Sequence, residues 1–162
     1  MLSFLHLKPF YIYNIILLFV FSILVNSNSF FFEINLILYI CFHLIIIYLG
    51  IYYFRKLLYF IFFLYGLGLD IFWLNEIGPH LFVFMLYLIF VNFTIKYLYS
   101  LSSIKVYILI IILQFILVTL EMIITQVLFK INIDLVSYIK IIIITIIFSY
   151  PLFILFLRID KI

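Results

Sequence analysis

The sequence predicts an all-α integral membrane protein, one bundle of six transmembrane helices over residues 1–162. Three observations predict it. Of the 162 residues, 71% are hydrophobic and 9% charged, with a mean hydropathy of +1.52, whereas a soluble domain is nearer half apolar and a quarter charged. The apolar residues gather into six runs near the ~20-residue length that spans a bilayer as a helix. Each run is about twice a barrel strand, and none alternates polar with apolar. A single membrane domain is expected to use the whole length, with no soluble enzyme domain beside it.

The first run covers residues 9–25. Pro9 suits a first helical turn, where its missing N–H costs nothing. Asn26-Ser27-Asn28-Ser29 does not resemble the small-residue cleavage site of a signal peptide, so a retained helix is expected. The second run, 34–53, is entered past Glu33 and closed by Arg55-Lys56. The third, 57–74, is compressed, because Asp70 falls before its apolar pattern ends. The fourth runs from 81 to about 94. Lys96 and Lys105 then bracket a Ser-rich turn, Ser100-Leu101-Ser102-Ser103. The fifth covers 106–129, and the sixth 138–157, followed by Arg158, Asp160 and Lys161.

Charge placement orients these spans. With the N-terminus in the cytoplasm, inner segments hold Lys8, Arg55, Lys56, Lys96, Lys105, Arg158 and Lys161, and outer segments only Lys130 and Lys140. Basic residues favour the cytoplasmic side. Both termini are therefore expected in the cytoplasm. The net charge of +3 bears on this topology and gives no reason to expect nucleic acid. Arg55-Lys56 reads as a topology anchor able to touch anionic lipid.

Alanine is absent, while Ile, Phe, Tyr, Leu and Asn abound. That pattern suits a coding bias towards A and T, so aromatic runs carry little information. Cys41 stands alone in an apolar run and reads as a small buried hydrophobe. His43, two residues on, points to another side of the helix, so the two form no metal pair. A buried, hydrogen-bonded His43 is the expectation, with His6 and His80 at the interfaces. No nucleophile–base arrangement, phosphate-cradling loop or haem spacing is present. Neither enzymatic activity nor a cofactor or metal is expected.

One stretch departs from plain apolarity. Residues 66–80 read Gly-Leu-Gly-Leu-Asp-Ile-Phe-Trp-Leu-Asn-Glu-Ile-Gly-Pro-His. Gly66 and Gly68 give a helix a smooth face that lets a neighbouring backbone approach. Gly78-Pro79 signals a turn, and Pro79 can open the fourth helix. Asp70 falls within about a turn of the outer interface, where an ionisable group is costly unless paired or wetted. The stretch reads either as an ordinary helix end or as a shaped contact surface holding Asp70, Asn75, Glu76, Gly78 and His80, on which a partner's juxtamembrane segment seats.

This stretch resembles the signature of the rod shape-determining MreD family: Gly66-x-x-x-Asp70, then Ile77-Gly78 and His80, then an apolar helix with Tyr87. Gly68, where that family often has a larger residue, and Pro79 depart from its pattern. The resemblance implies a non-enzymatic scaffold subunit of the bacterial cell-elongation and peptidoglycan-synthesis machinery in the cytoplasmic membrane. It implies an MreC-type bitopic membrane protein as partner. Through that partner come an actin-like filament protein and a wall-synthesis glycosyltransferase and transpeptidase. It also implies a helix arrangement similar to the substrate-binding subunits of energy-coupling-factor transporters.

The second point of interest is Glu121, deep in the fifth run. Gln114, Glu121 and Thr125 share one helix face as a polar stripe. A charge at mid-bilayer costs ~2.5–3.5 kcal/mol on insertion scales, so such a stripe rarely faces lipid. It reads as an interhelical hydrogen bond, a ligand or proton site, or a partner contact. Asn14, Asn92, Thr145 and Ser149 are candidate partners across helices. A wet central pocket lined by Glu121 and Gln114 would instead favour a small-molecule, vitamin-type binding subunit of a transporter.

Overall fold

The computed structural model describes residues 7–26, 32–74, 78–98, 101–130 and 135–160. They form six α-helices and, among the described residues, no strand: α1 Leu7–Asn26, α2 Phe32–Tyr52, α3 Leu57–Leu74, α4 Pro79–Leu98, α5 Ser103–Phe129 and α6 Leu135–Ile159. All six are long and apolar enough to cross a membrane. At ~1.5 Å per residue, the shortest, α3 with 18 residues, falls just short of the ~30 Å hydrocarbon core. The protein is thus a multi-pass membrane protein.

α3 spans 57–74 as expected, whereas α1, α4, α5 and α6 overrun their expected boundaries. α4 starts at Pro79, whose ring needs no hydrogen-bond acceptor at a first position, and runs on to Leu98 with Lys96 in its last turn, where a cation favours the helix end. α5 begins at Ser103 after an extended Ser102, and closes on Lys130 in the left-handed region, φ 54°, with the Lys130 N–H on the Gln126 carbonyl. α6 carries Pro151 inside it without breaking. Glu33 falls in α2, but its side chain, like all of Asn75, Glu76, Ile77 and Asp134, lies outside the described residues.

α2 is the axis. It packs against α1, α4, α5 and α6, and 61% of its span is buried, against 17% of α6. Ile40, Phe42, His43, Ile46, Ile47, Tyr48 and Leu49 are fully enclosed. The other helices turn one stripe inward and leave large apolar side chains such as Phe93, Val127 and Ile147 outside, as a lipid-facing surface requires. Tyr87 ties α4 to this axis. Its hydroxyl donates to the Ile47 carbonyl at 2.7 Å, and its ring rests where a side chain on Gly50 would stand.

At the end where α1, α3 and α5 begin and α2 and α6 finish, the Asp160 carboxylate accepts from the hydroxyls of Tyr13, Tyr48 and Tyr53. Tyr13 also donates to the Phe156 carbonyl at 2.8 Å. Arg55 stacks over the Phe10 ring beside this cluster, 5.1 Å from its centroid. Asp160, read from sequence as a tail charge, is instead the joint of α1, α2 and α6. The tyrosines, discounted there as compositional filler, are what hold it.

The Gly66–Asp70 joint and the Glu121 cluster

α3 and α4 form the most extensive helix pair of the bundle, and the residues of the glycine-bearing stretch make it. A Cβ on Gly66 would stand 2.6 Å from Leu81 Cα and 2.9 Å from Leu81 N, so the first turn of α4 lies directly on Gly66. Asp70, one turn further along α3, shares that face. It is fully buried. Its Oδ2 accepts the N–H groups of Gly78 and Leu81, each at 3.0 Å, and its Oδ1 that of His80 at 3.1 Å. His80 Nδ1 also meets Oδ1 at 2.7 Å.

These contacts account for every free N–H at the start of α4. A helix leaves its first four N–H groups without partners in the helix. Pro79 has none, His80 and Leu81 take Asp70, and the Phe82 N–H reaches the Gly78 carbonyl at 3.4 Å. No Ser, Thr, Asp or Asn stands at the cap position Gly78, so the cap is supplied from the preceding helix. The carboxylate also sits at the positive end of the helix dipole, where an anion is favoured.

That finding corrects the expectation of a surface. Gly66, Asp70 and His80 are buried in the chain's own packing and are not open to a partner. Gly68 is half-buried, and a Cβ there would meet the Phe21 ring of α1 at 2.6 Å. Gly78 is buried beneath Phe129, whose ring would stand 3.2 Å from a Cβ there. Asn75 and Glu76, the remaining residues of that set, lie outside the described residues.

The second acid sits beside this joint. Glu121 is 3% exposed; its Oε1 lies 2.9 Å from His43 Nε2, and its Oε2 accepts the Tyr39 hydroxyl. His43 Nδ1 is 3.0 Å from the Tyr39 carbonyl. The Tyr39 ring lies 5.5 Å from Trp73 and stands edge-on to His80 at 6.0 Å. One ring therefore lies between two acid–imidazole pairs, Glu121–His43 and Asp70–His80. Each buried acid is paired with an imidazole and hydrogen-bonded, which makes its burial tolerable where a lone, unpaired acid would not be.

His43 is thus the buried, hydrogen-bonded residue expected of it, but the partners suggested for Glu121 are not its partners. Asn14 donates to the Phe10 carbonyl of its own helix, Asn92 faces outward, and Ser149 meets Tyr107 at 3.2 Å. The stripe on α5 also divides. Thr125 gives its hydroxyl to the Glu121 backbone carbonyl, whereas the Gln114 amide, 0% exposed, has no hydrogen-bond partner at either end. No protein-family model, curated protein or solved structure matches this chain. Among the described residues no group of three His, Cys, Asp or Glu side chains is placed to hold a metal ion.

Replacing Glu121 tests this cluster. Glu121→Leu leaves the His43 imidazole and the Tyr39 hydroxyl buried without their acceptor, and breaking a buried pair in this way costs about 3 kcal/mol. Glu121→Gln retains one acceptor and is expected to cost clearly less. Thermal unfolding in mild detergent should rank wild type, Gln, then Leu. Equal stability of the Leu variant and wild type would contradict the assignment.

Proposed function

We propose that this chain is a non-enzymatic scaffold subunit of the cell-elongation machinery, on the pattern of MreD, acting by binding the membrane-spanning helix of an MreC-type bitopic protein. The observation that supports it is an apolar groove of about 510 Å³ between the start of α4 and the end of α5, lined by Gly78, Leu81, Phe82, Ile123, Ile124, Val127 and Leu128. Phe82, Ile123, Val127 and Leu128 of its lining are exposed, and Gly78 and Leu81 also belong to the Gly66–Asp70 joint. The joint's role in this reading is to hold the α4 wall rigid, so that the groove presents a fixed shape. Van der Waals packing against a fixed surface is what helix association within lipid relies on.

In this reading the chain sits in the bacterial cytoplasmic membrane with both termini inside. The actin-like filament and the wall-synthesis glycosyltransferase and transpeptidase are reached through the partner. The small-molecule transporter reading called for a wet pocket at Glu121 and Gln114, and both Glu121 carboxylate oxygens are instead taken up by His43 and Tyr39.

Depletion of the protein is expected to round rod-like or curved cells while vitamin uptake continues. A pull-down from gently solubilised membranes is expected to recover the MreC-type protein. Recovery of an energy-coupling ATPase instead, with cell shape kept, would overturn the proposal in favour of the transporter subunit.

A further inference from the structure

Polar side chains are scarce in this chain, and two buried networks stand towards opposite ends of the bundle, while Asn14 Oδ1 and Asn35 Oδ1 are buried and unpartnered elsewhere. At one end stand Asp70, His80, Tyr39, Glu121 and His43, with Tyr39 partly exposed. At the other stand Asp160, Tyr13, Tyr48 and Tyr53, with Asp160 partly exposed. Between them lies a middle layer built by α5 and α6. Gln114 is seven residues from Glu121, about 10 Å along the helix at 1.5 Å per residue, and Tyr107 a further seven. On α6, Thr145, Ser149 and Asp160 fall on one face.

The middle layer is where the ordinary structural explanation fails. Hydrogen bonding within the bundle accounts for the two acid–imidazole pairs and for the tyrosines on Asp160. It does not account for Gln114 and Thr145, both 0% exposed, whose side-chain polar atoms have no partner. A buried, unsatisfied polar group is destabilising, and an apolar residue of similar size would remove that cost. One turn beyond Gln114, a cavity of about 10 Å³ is lined by Leu44, Tyr48, Ile110, Ser149 and Phe156 among others. That is the lower limit for one water molecule. Tyr48 lines this cavity and also donates to Asp160. The cavity therefore adjoins the lower network directly.

We infer that this column is a proton path through the bundle, completed when water enters the Gln114–Thr145–Ser149 layer. Ionisable residues inside a membrane mark ion or proton routes, and here two such networks flank a layer with spare donors and acceptors. A proton taken up at Asp160 passes along hydroxyls and waters, each relay releasing one proton as it accepts another, to Glu121, and leaves past Tyr39. Only O–H and N–H bonds change, and the charge moved is balanced by the potassium ions of the test below. Each acid–imidazole pair ends with the protons it began with. The groups facing Glu121 are His43 and Tyr39 of α2 and His80 of α4, with Asp70 of α3 paired to that His80; on α6, Tyr138 is turned to Thr119 of α5.

The test uses the purified full chain in liposomes carrying an internal pH-sensitive dye, with valinomycin and a potassium gradient to drive protons. The wild type is expected to acidify the lumen severalfold faster than protein-free vesicles. Gln114→Leu should reduce the rate to that of protein-free vesicles while its thermal stability is unchanged or higher, since it removes an unsatisfied buried amide. That stability readout separates a blocked path from a misfolded protein. Wild-type flux no greater than that of empty vesicles would overturn the inference, as would undiminished flux through Gln114→Leu.

Discussion

Asp70→Leu is expected to deplete the folded protein more than any other single change in the bundle. The substitution leaves the N–H groups of Gly78, His80 and Leu81 and the His80 imidazole without their common acceptor. At ~1 kcal/mol or more for each of the three stranded backbone N–H donors, the loss is about 3 kcal/mol at least. Asp70→Asn should fall between, since one oxygen remains while the new NH2 group points a donor at backbone donors. Thermal unfolding in mild detergent, with the amount of protein reaching the membrane measured alongside, gives the ranking. An Asp70→Leu protein as stable as wild type would mean that α4 does not depend on this cap.

Gly66→Ala is the second large effect. Its new Cβ would fall 2.6 Å from Leu81 Cα, 2.9 Å from Leu81 N and 3.2 Å from the His80 carbonyl carbon. These are backbone atoms of a packed helix, so α4 itself must move, and moving it pulls the Asp70 cap apart. Overpacking alone costs about 1–3 kcal/mol, and the loosened cap adds to that. Gly68→Ala provides the contrast. Its Cβ meets only the far end of the half-buried Phe21 ring, which can swing aside. Gly66→Ala should therefore lower the unfolding temperature clearly more than Gly68→Ala, and the reverse order would contradict the α3–α4 geometry described here.

The sequence made some of this legible. Length and hydropathy suffice for six helices, because a bilayer imposes both. The spacing Gly66-x-x-x-Asp70 was visible too, but not its use. Knowing that Asp70 caps α4 requires knowing that α4 folds back onto Gly66. The available hint was the missing cap residue before Pro79. Glu121 was recognisable as buried, yet its partners were not, because an apolar pattern carries no rotational register between helices. His43 and Tyr39 sit on a helix buried nearly all round, which gives periodicity no polar side to mark. Asp160 escaped notice because a carboxylate near a basic terminus looks solvated, and its tyrosines resembled the compositional bias around them.

The proposal that the chain works by holding a membrane partner is tested most directly by photo-crosslinking in living cells. A photoreactive residue in place of Val127, 73% exposed on the groove-lining face of α5, is compared with one in place of Ile147, 59% exposed on α6. The account predicts an adduct from the Val127 position alone, identified by mass spectrometry as a bitopic MreC-type protein. Adducts of equal yield from both positions, or none from Val127 while Ile147 crosslinks, would contradict it.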